Sequence, residues 1–238
     1  MIYSGADWDK IWRKGFKLSP LQDWAADIFV TAYRLLKNSD SPKVLSAGCG
    51  RGLIDYWLIH VFGYNVVLLD HSTECIRQLK RLFCRVPRHL YAIAHASIFS
   101  IPYPDCTFDL VWNEGVLEHF SDDDMLLAIK EMSRVSRKYI LIDVPYAGSK
   151  PYCLSKRFLE ENKLWSWGHE SPKLSLREEL NKCKVEFVEE LLIGSEETNR
   201  NYVAMVPAMH RQQILDQLVP QDFQIFPHLL TIGKKIHD

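Results

Sequence analysis

The sequence predicts an α/β fold, a doubly wound and mostly parallel sheet with helices on both faces. Three observations predict it. Apolar runs of strand length, such as "NVVLLD" at 65–70, alternate with amphipathic stretches of helix length. A turn of small residues, "SAGCGRG" at 46–52, joins the first apolar run to the next helical stretch. The 238 residues, 47% hydrophobic and 25% charged, suffice for one ordinary core.

The elements follow in order. In "ADWDKIWRKG", Trp8 and Trp12 lie four apart, on one face of a short helix. Residues 20–37 place Leu21, Trp24, Ile28, Ala32 and Leu35 on one stripe, with Ser19 as the expected N-cap and Pro20 at the first helical position. "KVLSA" reads as a strand and "RGLIDYWLIHVFG" as a helix ended by Gly63. "NVVLLD" is a strand buried on both faces, and Ser72 caps a helix over 72–85. "HLYAIAHA", "TFDLVWNEG" and "KYILIDVP" are the third, fourth and fifth strands. A helix over 122–136 separates the last two, opened by three carboxylates at its positive end. The last third is less regular. It predicts a short helix at 155–162, a helix at 174–183 capped by Ser175, strands at 184–194 and 228–235, and a helical insertion between them.

One domain over 1–238 is expected. Residues 1–40 form an N-terminal helical cap and 41–145 a ligand-binding half. Residues 146–238 form a second half with an inserted segment around 196–222. A net charge of −1 and no long basic run argue against a nucleic-acid partner. Six scattered cysteines form no CxxC and match no zinc spacing with histidine. Neither an apolar signal core nor a window of about 18 apolar residues is present, so a cytoplasmic chain is expected.

Gly48, Gly50 and Gly52 let backbone N–H groups approach a ligand at a helix N-terminus. A dinucleotide site wants G-x-G-x-x-G, but Leu53 holds the last glycine position. The phosphate-binding Lys-Ser/Thr pair is also absent.

Three segments resemble the class I S-adenosylmethionine-dependent methyltransferases, in particular those acting on small molecules of quinone, biotin and sterol pathways. They are "VLSAGCGRG", "VVLLD" followed by "HS", and "IPYPDCTFDLVWNEGVLEHF". The resemblance implies a Rossmann-like seven-stranded sheet. It implies methyl transfer from S-adenosyl-L-methionine to a small organic acceptor by in-line displacement, leaving S-adenosyl-L-homocysteine. It places Ser46, Gly48, Cys49, Gly50 and Gly52 at the cofactor turn, with Asp70 and His71 at the ribose. Ser97 and Ile98 fall at the adenine, and Asn113, Glu114 and Gly115 under the methionine part.

The family usually carries an acid where Ser46 stands and often one where Ser97 stands, which leaves a non-catalytic member with a weakened cofactor site as the alternative. Some members hold a divalent ion with Glu-x-x-Glu-His. Glu118 and His119 match its end, but Gly115 occupies its first position and no metal is expected. His119 and Tyr146 are the candidate catalytic residues by position, and His169 reads as a packing or surface residue. Methyl transfer mainly needs alignment and exclusion of water, so no catalytic triad is expected. Aromatic residues Trp8, Trp12, Trp165 and Trp167 are placed to close an apolar acceptor pocket.

Overall fold

The structure, a computed structural model, describes residues 5–13, 15 and 20–236. Seven strands form one sheet in the order β3-β2-β1-β4-β5-β7-β6. They are β1 (Lys43–Ala47), β2 (Asn65–Asp70), β3 (Tyr91–His95), β4 (Phe108–Glu114), β5 (Ser136–Pro145), β6 (Val185–Ile193) and β7 (His228–Lys235). Strands β1 to β5 run parallel, and β7 runs antiparallel between β5 and β6. The helices are α1 (Gly5–Trp12), α2 (Asp23–Leu36), α3 (Leu53–Phe62), α4 (Thr73–Leu82), α5 (Asp122–Val135), α6 (Lys150–Glu161), α7 (Arg177–Lys182), α8 (Glu196–Met205) and α9 (Arg211–Leu215).

The near-continuous apolar strands follow from burial on both faces. On one face Val44, Leu68, Leu110 and Trp112 pack against Ile28, Leu36, Ile54 and Leu58 of α2 and α3. On the other, Leu45, Val111 and Ile140 pack against Met125, Ile129 and Met132 of α5. Strand order reverses between β1 and β4. That switch point opens a crevice at the carboxyl ends of the strands, where α/β sheets bind ligands.

Several boundaries differ from the sequence reading. The Ser19 cap lies outside the described residues. Helix α2 begins at Asp23, not Pro20, with that carboxylate in its first turn and bonded by Ser195 Oγ. The short helix expected at 155–162 starts five residues earlier. Ser149 caps it, accepting the Tyr152 N–H at 3.4 Å, and Pro151 sits in its first turn. Ser175 does accept the Arg177 N–H at 3.1 Å, although Leu176 is the N-cap of α7.

Residues 196–222, expected as an insertion, form α8, α9 and intervening 3-10 turns. Asn199 fastens this segment. It is fully buried, donates to the carbonyls of Phe223 at 2.8 Å and Ile225 at 2.9 Å, and accepts the Ser149 hydroxyl at 2.9 Å. Truncation orphans two carbonyls and a hydroxyl, at about 1–3 kcal/mol for each group left unsatisfied. Asn199→Ala is therefore expected to lower the urea midpoint by the equivalent of about 3 kcal/mol or more. A loss under about 0.5 kcal/mol contradicts this role.

Candidate functional site

A cavity of about 860 Å³ occupies the switch-point crevice. Its floor begins at the glycine turn. Asp70 closes β2 and holds that turn: its Oδ2 accepts the Gly50 N–H at 3.1 Å and its Oδ1 the Ser72 N–H at 2.9 Å. Each oxygen keeps a lone pair, and the carboxylate faces the cavity. The glycines are bare for different reasons. A Cβ on Gly48 would lie 2.7 Å from Val116 Cγ2. At Gly52, with φ +61°, it would strike Leu68 and Leu79, so that glycine serves packing of α3 on the sheet.

The expected residues Ser46, Gly48, Cys49, Gly50, Gly52, Asp70, His71, Ser97, Ile98, Glu114, Gly115 and His119 all line this cavity. Two do not. Asn113 alternates to the opposite face of β4, where its amide meets the Met132 sulfur at 3.4 Å. Tyr146 likewise follows Val144 onto the far face. Its ring packs with the α5-side core and covers Gly148. Asp143 and Pro145 line the cavity from β5 instead.

Helix α1 roofs the cavity. Trp8 and Trp12 stack at 5.9 Å, and Trp8 meets the His119 ring edge-on at 5.0 Å. Asp9 anchors this roof, taking the Ser72 hydroxyl and the Glu74 N–H. Ser72 in turn caps α4 through the Cys75 N–H.

The far half of the cavity holds a polar cluster over β4, β5 and β7. Trp24 donates its indole N–H to Glu114 at 2.7 Å and stacks on His228 at 4.9 Å. His228 Nδ1 donates to Asp143 at 3.1 Å, and that carboxylate raises the imidazole pKa despite burial. Tyr152 donates its hydroxyl to Glu170 at 2.8 Å. Burial raises Glu170 to about 7 and puts Glu118 well above the usual carboxylate range.

His119 Nδ1 donates to the His169 carbonyl at 2.7 Å, and burial lowers its pKa to about 4. It is neutral near pH 7. His169 contributes its main chain, and its side chain is not on the cavity wall. Among the described residues, Glu118, His119 and Glu170 bring ligand atoms within 4.8 Å of one another, as do Cys49, Asp70 and Cys75. Burial raises the Cys49 thiol pKa, which keeps it protonated.

Asp55, which the sequence reading passed over, lies behind Ser46. It is fully buried on α3, and burial raises its pKa to about 8. The Ser46 hydroxyl and Trp112 indole lie nearest and lower it, but neither closes a hydrogen bond. A carboxyl group therefore stands beneath position 46 although position 46 itself is serine. Its signal was an Asp inside the apolar run "LIDYWLI".

These shifts set a pH dependence. Asp55 and Glu170 bind protons in the fold near pH 7 but not in the unfolded chain, whose carboxylates titrate near 4. Stability therefore falls as pH rises toward 8. His119, lowered to about 4, acts oppositely only below about 6.5. The thermal midpoint of the ligand-free protein is expected to fall between pH 6.5 and 8.5, and Asp55→Asn to flatten that slope. A midpoint rising over this range contradicts the assignment.

Residues 45–139 match a family model described as a methyltransferase domain. A sarcosine/dimethylglycine N-methyltransferase of Halorhodospira halochloris is 30% identical over 131 residues, 52% of this chain and 46% of that one. A malonyl-acyl-carrier-protein O-methyltransferase of Erwinia billingiae is 34% identical over 98 residues, 40% of this chain and 34% of that one. The matches thus span less than half of these relatives' length. Magnesium protoporphyrin IX methyltransferase from Synechocystis PCC 6803, solved with S-adenosylhomocysteine bound, superposes with a TM-score of 0.63. It is 12% identical, over 97% of this chain and 93% of that one, a likeness of fold alone. The cyclase SpnF shares the fold at a TM-score of 0.67 and 15% identity, over 93% and 88% of the two chains. Residues 45–139 thus resemble a methyltransferase domain in sequence, and the chain shares its fold with solved proteins that include a methyltransferase.

Proposed function

We propose that the chain transfers a methyl group from S-adenosylmethionine to a small organic acceptor bound in the far half of the same cavity. One observation carries the reading: the glycine turn, latched by Asp70, opens at the switch point into a cavity whose far half lies over different strands.

The residues present fit the cofactor. Asp70 offers its remaining lone pairs to the two ribose hydroxyls. Ser97 Oγ already accepts the Phe99 N–H at 3.2 Å, so its O–H is left to donate to an adenine ring nitrogen beside the apolar Ile98. Glu114, with the main chain of Gly48 and Gly115, suits the ammonium group of the methionine part. The Ser46 hydroxyl, buried without a partner among the described residues, is a further polar contact on this wall.

S-adenosylmethionine supplies an electrophilic methyl carbon on a positively charged sulfur. The chain aligns the acceptor and keeps water out, with Trp8 and Trp12 above and Trp165 and Trp167 at the side. A proton leaving the acceptor needs a base with a pKa near the working pH. His119, near 4, is a weak one, and Glu170, near 7, is the better matched. His119 then serves chiefly to hold the 163–176 loop through the His169 carbonyl.

Calorimetric titration with S-adenosylhomocysteine is expected to give saturable binding, and Asp70→Ala to weaken it at least tenfold, about 1.4 kcal/mol. Unchanged affinity in the variant would show that the ribose lies elsewhere. No binding by the wild type at millimolar ligand would remove the reading.

A further inference from the structure

The far half of the cavity carries more acid than its own cations match. Four carboxyl groups line it: Glu114, Glu118, Asp143 and Glu170. Asp143 has His228, Glu114 has the Trp24 N–H, and Glu170 has the Tyr152 hydroxyl. Arg51 and Lys156 are the nearest other cations, acting on Glu114 and Glu170 respectively, and Lys156 is already paired with Glu160.

Glu118 is the exception. It is 2% exposed, faces the cavity, and its Oε2 has no hydrogen-bond partner among the described residues. Its Oε1 lies 3.9 Å from His119 Nε2, beyond hydrogen-bond reach. Burial holds Glu118 toward its neutral form in the empty fold, and a cation bound at Oε2 would favour the carboxylate.

Glu114, offered above to the cofactor's ammonium group, borders both halves, whereas Asp143, Glu170 and His228 lie apart from the cofactor's groups. The glycine turn, Asp70 and Ser97 stand over β1, β2 and β3, whereas Asp143 and His228 stand at the paired ends of β5 and β7. Glu170 joins them from the loop after α6. Aromatic rings border the same region. Tyr202 packs 4.9 Å from Tyr152, whose hydroxyl holds Glu170, and Trp165 packs 6.4 Å from the same ring. Carboxylates among aromatic faces bind an organic cation by charge and by cation–π attraction, and they repel an anion. A neutral alcohol gains no charge attraction from these acids.

Resting on the methyltransferase reading above, we infer that the acceptor is a small organic amine, bound as its ammonium ion against Glu118 and Glu170. An ammonium nitrogen has no lone pair. One N–H proton must pass to a carboxylate, the N–H electron pair staying on nitrogen, before that nitrogen can accept a methyl group. Glu170 and Glu118 are the acceptors at hand, so the groups that recognise the cation also receive its proton.

The test uses the full chain. S-adenosylhomocysteine and S-adenosylmethionine affinities are measured first. Their absence in the wild type counts against the methyltransferase reading rather than the acceptor class. With S-adenosylhomocysteine saturating, benzylamine and its neutral isostere benzyl alcohol are then titrated calorimetrically. The amine is expected to bind at least tenfold tighter, and Glu118→Gln with Glu170→Gln to reduce that preference below threefold. Equal binding, or preference for the alcohol, overturns the inference, and this wild-type comparison decides it even if the variant fails to fold. Two other outcomes also overturn it. In one, the variant loses cofactor affinity while keeping the amine preference, which assigns the carboxylates to the cofactor. In the other, manganese binds at micromolar concentration and is lost in the variant, which assigns the cluster to a metal.

Discussion

The carboxylate of Asp70 is the constraint on which the site depends. Its two oxygens take N–H groups from two different turns, Gly50 after β1 and Ser72 after β2. A charged acceptor makes such bonds worth about 1.5–3 kcal/mol each. They fix two helix starts relative to one another before any ligand arrives. The glycine turn thereby acquires a rigid wall, and the cavity inherits its shape from a single side chain at the end of a buried strand.

Electrostatics divide the cavity. Near the glycine turn the polar groups are backbone, hydroxyls and one latched carboxylate. Beyond β4 the wall changes to carboxyl groups, one imidazole and aromatic rings. Glu118 and Asp143 are buried and Glu114 and Glu170 half-buried, and desolvation shifts each toward its neutral form, a partner only moderating the shift. Asp143 is raised by burial, held back in part by His228, which is itself drawn toward the protonated form. The Oε2 of Glu118 has no hydrogen-bond partner among the described residues. Burial and pairing, not residue type, therefore set how far each carboxyl group is raised.

The fold was legible because its signals are periodic. Runs such as "NVVLLD" and the stripe from Leu21 to Leu35 declare their elements, and the glycine turn with Asp70 about twenty residues on marks one half of the cavity. Alternation within strands sorts the two faces of the sheet. Counting by twos from Trp112 puts Glu114 on the cavity face and Asn113 behind it, and counting from Asp143 puts Pro145 in front and Tyr146 behind. Asp55 and Asp143 were visible as lone acids inside apolar runs, a combination that marks a buried polar group. Glu170 and His228 carried no comparable signal. They come from a polar loop and a strand end, and only the tertiary fold brings them beside Tyr152 and Asp143.

The anchoring of α1 bears on traffic into the cavity. The helix that carries Trp8 and Trp12 is moored through Asp9 to the N-terminus of α4, next door to the carboxylate that latches the glycine turn. Entrance and latch thus share one helix end. Undocking the roof removes hydrogen bonds from Ser72 and Glu74, and it frees the hydroxyl that caps α4. The roof and the glycine-turn latch are joined just after β2, where Ser72 bonds to both Asp9 and Asp70 and Glu74 to Asp9, and a change at either is felt at the other's anchor.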